Sequence, residues 1–216
     1  MQRIYAVITA DIRGSRSVAE FRKERDRRLK PLSKLHLEKK LILSDYAVTA
    51  WDEFEGLVMP QHVPTVLFDL RRHFYPLELW IGVGVGTVAR PYRKPINVFA
   101  SGEAFERARK AIEQIKSKHK RTPRWTAFVS GKREFDRVGN TIYHLHDTLI
   151  QSVSAKQWQT INAQVSARTQ GRVARKLGLD ESTISRSLRR GFYVQMMETR
   201  ETMEEIIKQY WPAGLH

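Results

Sequence analysis

The chain has 216 residues, 41% hydrophobic and 10% aromatic, with 38 Lys and Arg against 23 Asp and Glu and a net charge of +15. That apolar content excludes global disorder, and the lack of cysteine excludes a disulfide framework or a thiolate zinc site. The positive balance favours a polyanionic partner, nucleic acid first.

Arg3 to Ala10 (RIYAVITA) reads as a buried strand ending at Asp11. An aspartate stands where a signal peptide would place its cleavage region, so a cytoplasmic location is expected. The longest largely apolar run, Trp80 to Ala89, is too short to span a bilayer, and no membrane is expected as a partner. The segment IRGSR after the strand carries Gly14, Ser15 and Arg16, a composition suited to close approach to an anion. Ser17 and Glu20 match a capping box for a charged helix from Val18 to about Lys39, with a kink or break at Pro31.

Asp45 to Met59 (DYAVTAWDEFEGLVM) has hairpin patterning, an apolar strand on each side of an acidic turn. Asp52, Glu53 and Glu55 crowd that turn. Like charges so close repel unless a cation, a basic side chain or water offsets them, so the tip is either a hard-metal site or a solvated turn. Pro64 to Phe74 has helical spacing. Leu77 to Val88 reads as a strand whose Gly82, Gly84 and Gly86 share one face, open to a packed helix or to a ligand. GVGVG is not the GxGxxG of a dinucleotide fold.

Pro91 to Ser101 reads as a loop and Gly102 to Lys118 as a helix with Phe105, Ala108, Ala111, Ile112 and Ile115 inward. The basic run Lys116 to Arg121 reads as a solvated helix end, with an anion contact as the alternative. Arg124 to Ser130 is a strand, and the polar Lys132 to Asn140 marks a boundary between domains 1–139 and 140–216. This order predicts an α+β, ferredoxin-like first domain with a mostly antiparallel sheet. In it Asp11 and Asp52 converge, two carboxylates suited to Mg²⁺.

The second half resembles the helix-turn-helix of bacterial regulators over Gln170 to Arg190. Ala174 stands at the helix crossing, Gly178 at the turn and Ile184 packs back, with Val173, Leu177, Leu179 and Leu188 completing the core. The second helix then exposes Ser182, Thr183, Ser185, Arg186, Arg189 and Arg190 to DNA, with Ser182 and Arg186 as base readers and Thr183, Arg189 and Arg190 as phosphate contacts. Residues 155–216 carry only +4, leaving +11 for the rest, so the first domain also faces nucleic acid or a phosphorylated ligand. A partial apolar stripe from Phe192 to Tyr210 caps this helical core or forms a homodimer.

In the first half, Ala10-Asp11-Ile12-Arg13-Gly14 resembles the ADIxGF signature of class III nucleotide cyclases, and Ile81 to Gly86 their IGIHxG strand. The chain more closely resembles the SatD family, which combines DIxxSR, DEF(Q/E)G, a GxGxG strand and GxAFxxAR. These stand here as Asp11 to Arg16, Asp52 to Gly56, Gly82 to Gly86 and Gly102 to Arg109. The resemblance implies a cyclase-like palm with Asp11 and Asp52 as Mg²⁺ ligands, and Gly14, Ser15, Arg16 and Arg109 on a nucleotide. Trp51 replaces the cyclase glycine before the second aspartate, and Phe105 replaces the asparagine that orients substrate. The expected function is a DNA-binding transcriptional regulator whose palm senses a nucleotide or a divalent metal. The alternative is a Mg²⁺-dependent nucleotidyl-transfer or cyclase-like enzyme.

Overall fold

A computed structural model of the protein describes residues 3–89, 101–118 and 123–212. Its centre is β1 (Ile4–Ile12), an apolar strand buried on both faces over most of its length. β1 lies antiparallel to β3 (Glu53–Val58) on one side and to β4 (Leu79–Thr87) on the other. β2 (Ala47–Val48) extends the β3 edge, and β5 (Thr126–Val129) joins β4 in parallel, giving the order β2-β3-β1-β4-β5. The first half of the expected hairpin is thus shorter than its alternation suggested.

The described residues form eight α-helices around this sheet: α1 (Phe21–Glu38), α2 (Val63–Phe74), α3 (Glu103–Lys118), α4 (Arg133–Gln151), α5 (Ala155–Ala167), α6 (Gln170–Leu177), α7 (Glu181–Arg190) and α8 (Tyr193–Tyr210). Ala6, Ile8, Ala10 and Ile12 point from β1 into the principal core, where they meet Leu29 and Leu32 of α1, Leu67 and Leu70 of α2, and Phe135 of α4. Alternation sends Val7 to the opposite face, where it packs with Ala104, Phe105 and Ala108 of α3. The three-glycine stripe of β4 is explained there. A Cβ on Gly84 would overlap the Ala104 carbonyl oxygen, so the bare strand lets α3 lie directly on the sheet.

α1 runs through Pro31 without being split there. Pro31 is exposed and leaves the Arg27 carbonyl without its helical partner. A buried arginine locks the elements together: Arg71 of α2 donates to the Leu79 carbonyl and to Thr126 Oγ1 (2.8 Å), and pairs with Asp147 of α4 at 3.4 Å.

A second cluster holds Trp158, Ile161, Val173, Ala174, Ile184 and Leu188 from α5, α6 and α7. Gly178, at φ 66°, turns the chain between α6 and α7. Leu179, expected in this core, is 46% exposed. The segment read as a polar linker, Lys132 to Asn140, is instead the start of α4, so residues 139 and 140 lie inside a helix. Phe135 and Tyr143 of α4 sit in the sheet core, whereas Ile150 joins the second cluster. α8 bridges likewise, with Met203 and Ile207 against the sheet side and Met196 in the second cluster. Its apolar stripe is therefore covered within the chain, and a separate helix-turn-helix unit does not stand out from the packing. The expected loop Pro91 to Ser101, Ser101 apart, and His119 to Arg121 of the basic run lie outside the described residues.

Candidate functional site

The antiparallel register sets the site. Asp11, one residue before the end of β1, faces Glu53 of β3 and Trp80 of β4. Asp52 immediately precedes β3, and its carbonyl accepts from the Ile12 amide at 2.8 Å. Beyond β1 the chain reverses at Gly14, whose φ of 70° and ψ of 17° are left-handed and favour glycine, into a short 3-10 turn, Ser15–Ser17. This reversal carries Ser15 back over the hairpin tip, where its hydroxyl donates to Asp52 Oδ2 at 2.8 Å. Lys116, near the end of α3, places Nζ 2.5 Å from Asp11 Oδ2.

Asp11, Gly14, Ser15, Arg16, Asp52 and Lys116 line a cleft of about 380 Å³. Ser15, Arg16 and Asp52 also line a neighbouring cleft of about 720 Å³, whose far wall carries Arg22, Lys23 and Trp51. Trp51 is 49% exposed although it stacks on Phe21, with ring centroids 5.8 Å apart and planes at 23°. The Arg22 guanidinium lies 4.5 Å from the Trp51 ring centroid. Buried Arg25 of α1 donates to the Trp51 carbonyl at 2.7 Å and so braces the hairpin turn from below.

The charges interact strongly. Burial raises the Asp11 carboxyl above its ordinary range; the hydrogen bond and charge of Lys116 oppose this, and the carboxylates of Asp52 and Glu53 add to it. Burial disfavours the Lys116 ammonium, but the hydrogen bond and charge of Asp11 outweigh it, and Lys116 is raised. Lys116 is therefore the basic side chain that offsets the acidic cluster. Sequence reading grouped it with a solvated helix end, because nothing local distinguishes it from Lys110 or Lys118.

Among the described residues no group of three or more His, Cys, Asp or Glu is arranged to hold a metal ion. Mg²⁺ is commonly held by one or two carboxylates together with substrate phosphates rather than by an all-protein cage. Asp11 and Asp52 fit that smaller requirement, provided Lys116 yields Asp11 to the ion.

Arg109 is not brought into this cleft. It is exposed on α3, and its charge acts on Glu55, a buried carboxyl raised by desolvation and held by Thr9 Oγ1 at 3.0 Å. Phe105 is 6% exposed and belongs to the packing of α3 on the sheet. Trp51, Lys116, Arg22 and Lys23 join the site without having been singled out for it.

In α7 the hydroxyls of Ser182, expected to read bases, and Thr183, expected to contact phosphate, serve the helix itself. Ser182 Oγ donates to Asp180 Oδ1 at 2.6 Å, and Thr183 donates through its amide and Oγ1 to the same carboxylate at 2.8 and 2.7 Å. Asp180 is the N-cap, and the hydroxyls of Ser182 and Thr183 hold its carboxyl far below the usual range. Arg186 donates to Thr183 Oγ1 at 3.2 Å, while Ser185, Arg189 and Arg190 are exposed.

The sequence profile of the SatD family matches residues 5–207. A search of curated proteins finds no match. Among solved structures, a bacterial light-regulated adenylyl cyclase is similar at 13% identity and a TM-score of 0.41, over 60% of this chain and 44% of that one. This chain thus spans less than half of that neighbour. A second structure of a bacterial light-regulated adenylyl cyclase gives 14% and 0.39, over 59% and 76% of the two chains. The guanylyl cyclase Cya2 gives 14% and 0.37, over 53% and 71%. The expectation of a DNA-binding transcriptional regulator is corrected by these findings. One family profile, that of the SatD family, runs through the sheet and the C-terminal helices together, and no comparison supports DNA binding. The assignment of Ser182, Thr183, Ser185, Arg186, Arg189 and Arg190 to DNA is withdrawn with it. Among the described residues no helix is long and apolar enough to cross a membrane.

Proposed function

The chain belongs to the SatD family, and from the geometry of the cleft we propose that it binds a nucleotide beside Asp11 and Asp52. The observation that carries this reading is the meeting of Asp11, Asp52, Ser15, Arg16 and Lys116 at one cleft, next to the exposed ring of Trp51. Arg16 and Lys116 offer charge to phosphate oxygens, and Gly14 lets them approach the backbone. Trp51, half exposed, offers a stacking place to a base where Arg22, now 4.5 Å over its ring, moves aside. Ser15 fixes the orientation of the Asp52 carboxylate through its hydroxyl.

Mg²⁺, held by Asp11 and Asp52 with phosphate oxygens of the nucleotide, would neutralise phosphate charge and support nucleotidyl transfer. With the Asp11 carboxylate offset by the ion, Lys116, which now pairs with Asp11, would be available to phosphate. The resemblance to cyclases includes the aspartates but not the asparagine, whose place is taken by buried Phe105. Arg109 is exposed on α3 and lines neither cleft. These two features favour binding over cyclisation.

The test is a thermal shift with ATP and GTP, with and without Mg²⁺, on the wild type and on Asp52→Asn. A ligand at 100-fold its dissociation constant stabilises the folded state by about 2.7 kcal/mol. The proposal expects a Mg²⁺-enhanced shift that Asp52→Asn abolishes. An equal shift in the variant, or none in the wild type, would reject it.

A further inference from the structure

A second cleft, of about 640 Å³, opens where α1 and the end of α2 meet α5 and α6. Its wall presents Arg28, Arg72, His73 and Lys176, with Asn162 and the ring of Trp158 between them. No carboxylate lines it. The acids that pair with two of these cations stand behind the wall: Glu24 bonds Arg28, and Asp69 bonds Arg72 Nε at 2.6 Å. Glu24 is shared with Arg27, so it offsets Arg28 only in part, while Asp69 also contacts His36 at 3.2 Å. Lys176 has no ion pair among the described residues.

The guanidinium of Arg72 is held rigidly, its side chain only 9% exposed. Nε is engaged by Asp69, and Nη1 reaches Asn162 Oδ1 only at 3.4 Å, a long bond. Nη2 has no hydrogen bond among the described residues. Arg28 is fixed by the carbonyls of His73 and Tyr75, both at 2.7 Å. A lining free of carboxylates, with two fixed guanidinium groups and the exposed Lys176 ammonium facing a cavity of ligand size, suits an anion. Burial, and then the charge of Arg72, lower the basicity of His73, as expected in a positive field.

We propose that this cleft is a binding site for a small polyvalent oxyanion, phosphate- or carboxylate-bearing, held by Arg72 and Lys176. It is lined by none of the residues of the Asp11–Asp52 cleft and stands independently of the function proposed for that cleft. Because α1 and α2 pack on the sheet while α5 and α6 form the second cluster, an anion here joins the two cores of the chain.

The experiment is NMR of full-length protein with ¹⁵N-labelled tryptophan, titrated separately with pyrophosphate and with citrate. The expected result is a saturable shift of the Trp158 indole, whether or not Trp51, beside the other cleft, also responds to pyrophosphate. A response to pyrophosphate alone marks a phosphate ligand, and one to citrate alone a carboxylate ligand. Lys176→Glu, at an exposed position that leaves the fold intact, weakens that affinity at least about tenfold. Lys34→Glu makes the same charge change outside the cleft and leaves the affinity as it was. The proposal is overturned if neither anion moves Trp158 saturably, if Trp51 responds instead, or if Lys176→Glu binds as tightly as the wild type.

Discussion

Replacing Gly84 by alanine tests how α3 is seated and, through it, how Lys116 is held. The new Cβ would overlap the Ala104 carbonyl oxygen and the Ala108 amide, and would lie 2.8 Å from the Arg107 carbonyl carbon. Ordinary carbon contacts are about 3.5–4.0 Å, so α3 must retreat from β4 by about 1 Å. None of the three atoms is the mobile end of a side chain, and the strain therefore cannot be relieved by a rotamer change. Overpacking of this kind costs about 1–3 kcal/mol, and rigid backbone on both sides places Gly84→Ala near about 3 kcal/mol. In a chain of this size that lowers Tm by about 6–12 °C.

Gly139→Ala is the control. Its Cβ would meet Met203 Cε at 3.5 Å, an ordinary contact, and Gly139 lies inside α4. Alanine is favoured over glycine in a helix interior by about 1 kcal/mol, so this variant is expected to be neutral or more stable. Urea unfolding of both variants, followed by far-UV circular dichroism, makes the comparison. A loss below about 0.5 kcal/mol for Gly84→Ala, or a larger loss for Gly139→Ala, would refute the seating of α3 described here.

Acid should expose the buried network around Asp69. Burial opposes its charge, but the hydrogen bond from His36 and the charge of Arg72 outweigh this and hold the carboxyl at about 2, against 3.8 when exposed. Its folded value is depressed, so its contribution of about 2 kcal/mol is complete above pH 4 and is lost as pH falls toward 2. Asp69→Asn should remove that part of the acid dependence of urea stability, and an unchanged pH profile would contradict it. Arg71→Met should cost about 3–5 kcal/mol, because Asp147, buried and paired to Arg71 at 3.4 Å, would be left as an uncompensated charge. Adding Asp147→Asn should recover much of that loss, and a double variant no more stable than Arg71→Met would refute the pairing.

The parts of the fold governed by local period were legible in the sequence. β1 announced itself as a continuous apolar run, α2 by its helical spacing, and β4 by glycines on one face. The proximity of Asp11 and Asp52 followed from the strand order, since β1 and β3 are antiparallel neighbours in register at Asp11 and Glu53. What the sequence hid depends on distant partners. Lys116 resembles any lysine at a helix end until α3 is laid along β4, which brings it over Asp11. The stripe of α8 is apolar enough to cover something, but its period cannot say that Met203 goes to the sheet core and Met196 to the α5–α7 cluster. Lys132 to Asn140 is polar because α4 is largely exposed there, not because the chain leaves helix. The hydroxyls of Ser182 and Thr183 were read as donors to DNA, whereas the N-cap Asp180 engages both. A serine or threonine just after an acidic N-cap has that local partner first, and this signal was available.

The central claim is that Asp11 and Asp52 hold a metal–nucleotide complex, and it can be tested by paramagnetic relaxation. Mn²⁺ is added in trace amounts, with and without ATP, while amide signals of the full-length protein are recorded. The account predicts that, with nucleotide present, broadening centres on residues 11–16 and 51–53 and disappears in Asp11→Asn. Broadening centred elsewhere, or unchanged in Asp11→Asn, would contradict it.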